Sequence, residues 1–228
     1  HVEQDGDVLG AVLVAHPHAD EVQRLVRDID RVGLHPLFLD VEEGMLSIRD
    51  KGIDYIPIKK WEDFLTVISD LRNTKHDYET LVIDSMTAAG RVILDSCLRV
   101  SRHEVPKIDD WGMNAQRSRD LVKWIHDLPM HSVFICLETI NKDEYSGRVM
   151  SLPSLAGQLA GQLPALFDLV FYMEVDRSKE GKVSRYLLTA PDSIYTAKDR
   201  SGVLATREDP DFGAIYEKIS KPTTTKGA

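Results

Sequence analysis

The sequence predicts an α/β protein in which helices flank both faces of a mostly parallel sheet. Apolar runs that are too short for helices mark candidate strands at residues 11–15, 36–39, 81–83, 132–137, 169–173 and 186–189. Amphipathic helical patterns lie between these runs, at residues 20–32, 61–71, 88–100 and 110–128. Because strands that alternate with helices are joined by crossover connections, the strands should pair mostly in parallel.

Length and composition suit one globular domain. The chain has 228 residues, of which 43% are hydrophobic and 29% are charged. This is enough to bury a sizeable core, so we expect a single domain over residues 1–220. Residues 221–228 are polar and carry proline and glycine, which predicts a flexible tail. No apolar stretch of about 18 residues and no secretory signal is recognisable, so a cytoplasmic protein without a membrane partner is expected.

Charge and cysteine content argue against a protein that coats nucleic acid and against one held by a disulfide or a cysteine-bound metal. The net charge of −9 argues against a uniformly basic surface that coats nucleic acid, although local basic groups could still contact phosphates. Cys97 and Cys136 both lie in apolar patterns. We therefore expect two small buried side chains rather than a disulfide or a metal site.

Polar residues follow four of the candidate strands directly, at residues 16–20, 40–44, 84–85 and 138–141. The carboxyl ends of parallel strands meet at one edge of a sheet, and ligands of such folds bind there. Each polar segment taken alone could simply be the start of a loop. Together they predict that the functional site lies at this edge.

The third of these strand ends has the pattern of a Walker B strand. Residues 80–84 form an apolar, β-branched run that ends in Asp84 and is followed by Ser85. A carboxylate in that position holds Mg²⁺ through its water shell beside a nucleotide, because Mg²⁺ gives up water reluctantly. The competing interpretation is a helix N-cap, which Asp84 or Ser85 would serve equally well.

The loop after the first strand lacks the phosphate-binding sequence that should accompany a Walker B strand. A P-loop reads G-x-x-x-x-G-K-[ST], whereas residues 15–23 read A-H-P-H-A-D-E-V-Q, with no glycine and no lysine. Pro17 has no N–H to donate to a phosphate. Asp20 and Glu21 would repel one, by roughly 4 kcal/mol per pair of unit charges at about 4 Å and an effective dielectric near 20. Tight ATP binding in the ordinary mode is therefore not expected.

The same loop could hold a metal instead. His16, His18 and Asp20 offer imidazole and carboxylate groups, which suit Zn²⁺. The string is similar to the His-Pro-Asp-Asp-Glu motif of zinc-dependent sugar deacetylases, but one residue is inserted, one aspartate is missing, and the rest of the chain does not follow that family. A metal-dependent hydrolase is thus a remote alternative, and solvated histidines in a capped loop are the simpler one.

Several segments together resemble the phage-encoded RecA-like ATPases grouped as phage nucleotide-binding proteins, some of which act in homologous recombination or single-strand annealing. The order and spacing of the segments carry the resemblance, which runs from about residue 34 to residue 219. The matching segments are residues 36–44, 53–58, 61–64, 81–85, 110–112, 159–160, 163–164, 167–168 and 197–202. The resemblance implies a RecA-like P-loop NTPase-type core.

The resemblance also implies roles for individual residues. Glu42 resembles the glutamate that polarises the attacking water, and its neighbour Glu43 replaces a common glycine. Glu138 resembles a polar sensor of the γ-phosphate at the end of the fourth strand. Lys198 and Arg200 resemble cations that reach the nucleotide of a neighbouring subunit. The simpler alternatives are an acidic turn, a solvated strand end and a salt-bridged turn.

Residues 141–158 follow the fourth strand, where RecA-like folds carry DNA-contacting loops. Lys142 and Arg148 are the candidate nucleic-acid contacts, against an ordinary surface loop. ATP and Mg²⁺ are the implied cofactors, with His16, His18, Asp20, Asp84 and Ser85 as candidate binding residues.

The implied partners are further copies of the chain, with nucleotide between subunits, and single-stranded DNA. The implied location is the host cytoplasm if the chain is phage-encoded. Two functions stay open: an ATPase with an atypical phosphate grip, and a non-catalytic structural or assembly protein on a RecA-like scaffold.

Overall fold

The computed structural model describes residues 8–15, 34–44, 52–142, 147–177 and 183–221. The helix predicted at residues 20–32 lies outside the described residues, as do the candidate loop residues His16, His18 and Asp20 and nearly all of the predicted tail.

One mixed sheet organises the described part of the chain. Its strands are β1 (Gly10–Ala15), β2 (Pro36–Asp40), β3 (Asp54–Pro57), β4 (Thr80–Asp84), β5 (His131–Lys142), β6 (Val149–Pro153), β7 (Leu169–Arg177), β8 (Val183–Leu188), β9 (Lys198–Asp199) and β10 (Arg207–Glu208). The order is β10-β8-β7-β1-β5-β4-β2-β3. From β7 to β3 every neighbouring pair is parallel, whereas β8, β9 and β10 are antiparallel additions. The predicted fold class is therefore confirmed.

The described helices are α1 (Trp61–Asn73), α2 (Met86–Ser101), α3 (Ile108–His126), α4 (Leu159–Leu166) and α5 (Phe212–Ser220). The sequence explains where several of them begin. Ser85 caps α2 by accepting a hydrogen bond from the Ala88 amide, and Asp211 caps α5 by accepting one from the Ala214 amide. The first turn of α1 carries Glu62 and Asp63, which the helix dipole favours.

Side chains that alternate along the central strands build two cores, one on each face. Val12 and Val14 of β1 pack into the core beneath α1 to α4, and Leu13 packs into the core beneath α5. Each large side chain buried in this way contributes about 1.5–3 kcal/mol. Helices thus cover both faces, as predicted.

Close packing at the start of β1 requires a glycine. A Cβ at Gly10 would lie 3.0 Å from a ring carbon of Phe167, which is fully buried. Phe167 also packs edge-on against Phe134 of β5, with ring centroids 4.9 Å apart. The start of the first strand is thereby fixed against its neighbours.

Two other expectations can be compared with the structure. Cys97 and Cys136 are free thiols and fully buried, as predicted, and burial raises the pKa of both. In the described part of the chain, no helix has both the length and the apolar character that a membrane span needs.

Candidate functional site

The carboxyl edge of the sheet brings acidic residues from three neighbouring strands together. Asp40, the last residue of β2, pairs in register with Asp84, the last residue of β4. Leu137 of β5 pairs with Ala15 at the end of β1, and Glu138 follows it. Since neighbouring strands lie about 4.8 Å apart, these residues line one continuous edge.

Asp84 ends a strand whose five residues are all buried. Its side chain is itself largely buried, and its carbonyl accepts a hydrogen bond of 2.8 Å from the Val41 amide. The peptide bond between Asp84 and Ser85 is cis. Only Ser85 separates the end of β4 from the start of α2, and this connection lies next to the residues that follow β2.

Ser85 links the two acidic segments. Its hydroxyl accepts a hydrogen bond from the Ala88 amide at 3.2 Å and donates one to Oε1 of Glu42. Asp84 and Ser85 are thus not alternatives for a single capping role, because Ser85 caps the helix and Asp84 is the last residue of the strand. Glu42, predicted from the resemblance, is held beside Ser85 although it is exposed.

Asp40 is a site residue that the sequence analysis did not single out. It is 4% exposed, and its Oδ1 accepts a hydrogen bond of 3.0 Å from the Gly44 amide. Burial raises the pKa of Asp40, and hydrogen bonds from the amides of Gly44, Glu43 and Glu42 oppose that rise. The signal was present, because Asp40 ends an apolar run just as Asp84 does.

Glu43 occupies a backbone conformation that favours glycine. Its φ is +57°, in the left-handed region. Its carboxylate lies 3.3 Å from the Lys59 ammonium, and both side chains are exposed. This conformation gives a physical reason for the glycine that the family pattern has at this position.

Glu138 does not end its strand, and the expectation of a strand end there was wrong. β5 continues to Lys142, but beyond Leu137 it leaves β1 and pairs antiparallel with β6. The Glu138 carboxylate is half-buried and accepts a hydrogen bond of 2.7 Å from the Ser151 hydroxyl. The Leu137 amide donates to the Thr87 hydroxyl at 3.0 Å, which ties this position to the start of α2.

Lys142 ends β5 and Arg148 directly precedes β6, so both lie at the end of the β5–β6 hairpin. Residues 141–142 belong to β5, and residues 149–153 form β6, with Lys142 opposite Val149. Both basic residues are exposed, and so is the apolar Ile140. The hairpin continues β5 beyond the last pair that this strand makes with β1.

Lys198 and Arg200 lie at the opposite edge of the sheet from Asp84. β9 pairs with residues 169–170 at the start of β7, and β7 starts beside the start of β1. A five-residue strand such as β4 spans roughly 16 Å, so neither cation is close to Asp84 of the same chain.

Both cations are engaged within the chain. The Lys198 ammonium donates to the Phe167 carbonyl at 2.5 Å and to the Pro164 carbonyl at 3.4 Å, at the C-terminal end of α4. Burial and the neighbouring Arg200 lower the pKa of Lys198. The Arg200 guanidinium forms an ion pair of 2.7 Å with Asp168.

The described side chains at the carboxyl edge offer carboxylate oxygens, which fit Mg²⁺ better than a transition metal. Among the described residues, no group of three or more histidine, cysteine, aspartate and glutamate side chains could enclose a metal ion. Mg²⁺ needs no such cage, because one or two carboxylates with water and substrate phosphates suffice. Asp84, which ends β4 at this edge, supplies such a carboxylate.

A mostly parallel α/β sheet with acidic side chains at its carboxyl edge is typical of the class of α/β proteins that bind their ligands at that edge. Comparison with known families identifies the family to which the chain belongs. A family model described as an AAA domain matches residues 29–201, which is most of the chain, and the chain belongs to that family. The matched range begins after β1, which ends at Ala15.

Two further comparisons were made. Among curated proteins, none matches the chain. Among solved structures, the crystal structure of the RadB recombinase matches 87% of this chain and 90% of its own, with 14% sequence identity and a TM-score of 0.42.

Proposed function

We propose that this protein is a RecA-like nucleotide-binding protein of phage type that serves DNA recombination or other DNA metabolism. ATP with Mg²⁺ is its proposed ligand, bound at the carboxyl edge of β2 and β4. The observation that carries the proposal is the pairing of Asp84 with Asp40 beside the Ser85–Glu42 hydrogen bond. Membership of the AAA domain family supports it.

Each residue of this edge has a proposed role. Asp84 would hold Mg²⁺ through ordered water, and Asp40 lies next to it. Bound Mg²⁺ would supply neutralisation of the phosphate charge. Glu42, oriented by the Ser85 hydroxyl, would orient and deprotonate the attacking water. Glu138, held by Ser151, would sense the terminal phosphate.

The phosphate grip of this protein would be atypical. Residues 16–23 contain neither glycine nor lysine, so the usual cradle of amides and an ammonium is missing from the sequence. Nucleotide affinity should then depend strongly on Mg²⁺, because the metal is needed to offset the carboxylates at the edge.

The proposed assembly is a head-to-tail homo-oligomer. Lys198 and Arg200 lie at the amino edge, so only a neighbouring copy could bring them to a nucleotide at the carboxyl edge. Such heterologous contacts build rings or filaments. Lys142 and Arg148, exposed on the β5–β6 hairpin, are the proposed contacts to single-stranded DNA.

A non-catalytic assembly protein on the same scaffold is the second candidate. The observation that favours it is the sequence of residues 16–23, in which the phosphate-binding residues are replaced. Such a protein would need the sheet and an oligomer interface but neither Asp84 nor Glu42. The two candidates therefore differ in what they predict for variants of these carboxylates.

Phosphate release from Mg²⁺-ATP by Asp84→Asn and Glu42→Gln separates the candidates. An ATPase should lose most turnover in both variants and keep it in Asp95→Asn, a matched control at an exposed position of α2. A wild-type protein without turnover, or variants that match it, would contradict the enzymatic proposal.

Salt-dependent binding of single-stranded DNA tests the nucleic-acid role. Lys142→Ala with Arg148→Ala should weaken binding and flatten the plot of log K against log salt by roughly 1.4, at about 0.7 per phosphate contact. Arg91→Ala with Lys123→Ala, at exposed positions of α2 and α3, is the control. An unchanged slope in the hairpin variant would contradict the assignment of these two residues.

A further inference from the structure

The turn that follows β2 is organised around the buried carboxylate of Asp40. Oδ1 accepts the Gly44 amide at 3.0 Å, and the amides of Glu42 and Glu43 also donate hydrogen bonds to this side chain. A buried carboxylate is costly unless such donors compensate for its lost hydration. Here the compensating donors all belong to the turn itself, so the side chain and the turn stabilise each other.

The same turn contains Glu42, and the backbone around it is held by hydrogen bonds to neighbouring strands. The backbone of β2 is fixed on both sides, since the Val41 amide donates to the Asp84 carbonyl at 2.8 Å and the Ile58 amide donates to the Asp40 carbonyl at 2.8 Å. The chain then bends over residues 41–43, and the φ of Glu43 is +57°. Within this bend the Glu42 carboxylate accepts a hydrogen bond from the Ser85 hydroxyl.

We propose that Asp40 is a positioning residue of the nucleotide site, and that its carboxylate holds residues 42–44 in the conformation that delivers Glu42 to Ser85. Asp40 acts through Glu42, and Asp84 at the paired position directs the metal. The catalytic consequence rests on the proposed ATP hydrolysis, whereas the positioning itself can be measured without nucleotide.

Two variants with the same branching and the same number of side-chain heavy atoms isolate the role of the acceptor oxygen. Asp40→Asn keeps an Oδ1 acceptor, and Asp40→Leu fills the same buried position without one. In Asp40→Leu the amides of residues 42–44 should exchange hydrogen at least about tenfold faster than in the wild type. In Asp40→Asn they should stay within about threefold, and the amides of Leu13 and Val82 should be unchanged in both.

The proposal would be overturned if the amides of residues 42–44 exchanged hydrogen equally slowly in Asp40→Leu and in the wild type. It would also be overturned if Asp40→Leu and Asp40→Asn lost protection from exchange to the same extent. If Asp40→Leu does not fold, Asp40→Ala gives the same comparison with Asp40→Asn.

Turnover gives a second readout that a purely structural role would not produce. Asp40→Leu should lower kcat with KM unchanged, whereas Asp40→Asn should keep most of the wild-type kcat. In a Glu42→Gln background, Asp40→Leu should lower kcat no further. An equal loss in both backgrounds would overturn the proposal. If the wild type shows no turnover, the hydrolytic part of the proposed function fails, and the exchange experiment still decides the role of Asp40.

Discussion

Asp84, Asp40 and Asp110 are three buried aspartates whose surroundings give them different roles. Asp84 and Asp40 end neighbouring strands at the carboxyl edge, and Asp40 is bonded to the amides of its own turn. Asp110 lies at the start of α3, where the Lys107 amide donates to it at 2.8 Å and His103 lies 2.8 Å away. At the scale of single residues, hydrogen-bond donors fix the role of a buried carboxylate, as the amides do for Asp40 and Asp110.

The stability of the protein should depend on the ionisation of Asp110. The Ser101 hydroxyl, the Lys107 amide and His103 lower the pKa of Asp110 to about 2 from 3.8. Because the pKa in the folded state is the lower one, this stabilisation is present above pH 3.8 and is lost as the pH falls towards 2. The free energy of unfolding, measured by urea denaturation, should fall less steeply over this range in Asp110→Asn. An equal slope in the variant and the wild type would contradict the assignment.

Glu43→Gly should stabilise the protein by about 1 kcal/mol, because a non-glycine residue at positive φ is strained by roughly that amount. The exposed ion pair with Lys59 that is lost contributes little. Glu104→Gly is the matched control, since Glu104 lies in an exposed bend and its φ is not positive. A decrease in the urea midpoint of Glu43→Gly would be the contrary outcome.

At the scale of elements, the β5–β6 hairpin joins the carboxyl edge to the rest of the molecule. Ser151 of β6 is fully buried, and its hydroxyl donates to Glu138. Its amide donates to the Ile194 carbonyl at 2.9 Å, and its carbonyl accepts from the Tyr172 hydroxyl at 2.8 Å. The hairpin is therefore fixed at Ser151 by both backbone and side chain.

Ser151→Ala should destabilise the protein by about 1–3 kcal/mol, because the half-buried Glu138 carboxylate loses its hydroxyl donor. Ser184→Ala, on the exposed part of β8, should change the free energy of unfolding by less than about 0.5 kcal/mol. Thermal unfolding of the two variants makes the comparison. A Ser151→Ala protein as stable as the control would mean that the Ser151–Glu138 bond contributes nothing.

The sequence predicts those elements whose burial is uniform. Five of the six apolar runs coincide with β1, β2, β4, β5 and β7, because parallel strands covered on both faces read as continuous apolar segments. The sixth run, at residues 186–189, overlaps only the buried end of the antiparallel β8. The sequence analysis missed β3, in which exposed residues such as Asp54 resemble loop sequence. It also missed β6, whose burial alternates and which directly follows Arg148. β9 and β10 have two residues each, too few for any periodicity.

At the candidate site, too, some features could be predicted from the sequence and others could not. Asp84 and Glu42 follow apolar runs and could be found from the sequence. The Ser85–Glu42 bond joins residues 43 positions apart, and the amide bonds of Asp40 depend on how its turn folds. Neither has a linear pattern, because the pairing of β2 with β4 creates them.

At the scale of the whole molecule, the proposed catalytic groups are divided between two edges of the sheet. Asp84 and Glu42 lie at the carboxyl edge, and Lys198 and Arg200 lie at the amino edge. One chain cannot bring the two sets together across roughly 16 Å of strand. If both sets act on one nucleotide, two copies must meet head to tail.

Mixing two inactive variants tests this arrangement. Glu42→Gln and Arg200→Ala each lack one half of a shared site, so random assembly in equal amounts should restore intact sites at roughly a quarter of the interfaces. Phosphate release by the mixture should rise to about that fraction of wild-type turnover. A mixture of Glu42→Gln with Asp84→Asn is the control. It should recover no turnover, because both residues lie at the same edge. A mixture as inactive as its components would exclude a role for Arg200 in the neighbouring site.

The central claim is that the carboxyl edge binds a nucleotide together with Mg²⁺ despite the substituted first loop. Calorimetric titration of metal-free protein with Mg²⁺ and a slowly hydrolysed ATP analogue tests it most directly, with Asp84→Asn and Zn²⁺ alone as parallel titrations. The account predicts saturable nucleotide binding that requires Mg²⁺ and is lost in Asp84→Asn. No nucleotide binding by the wild type, or binding of Zn²⁺ alone, would contradict it.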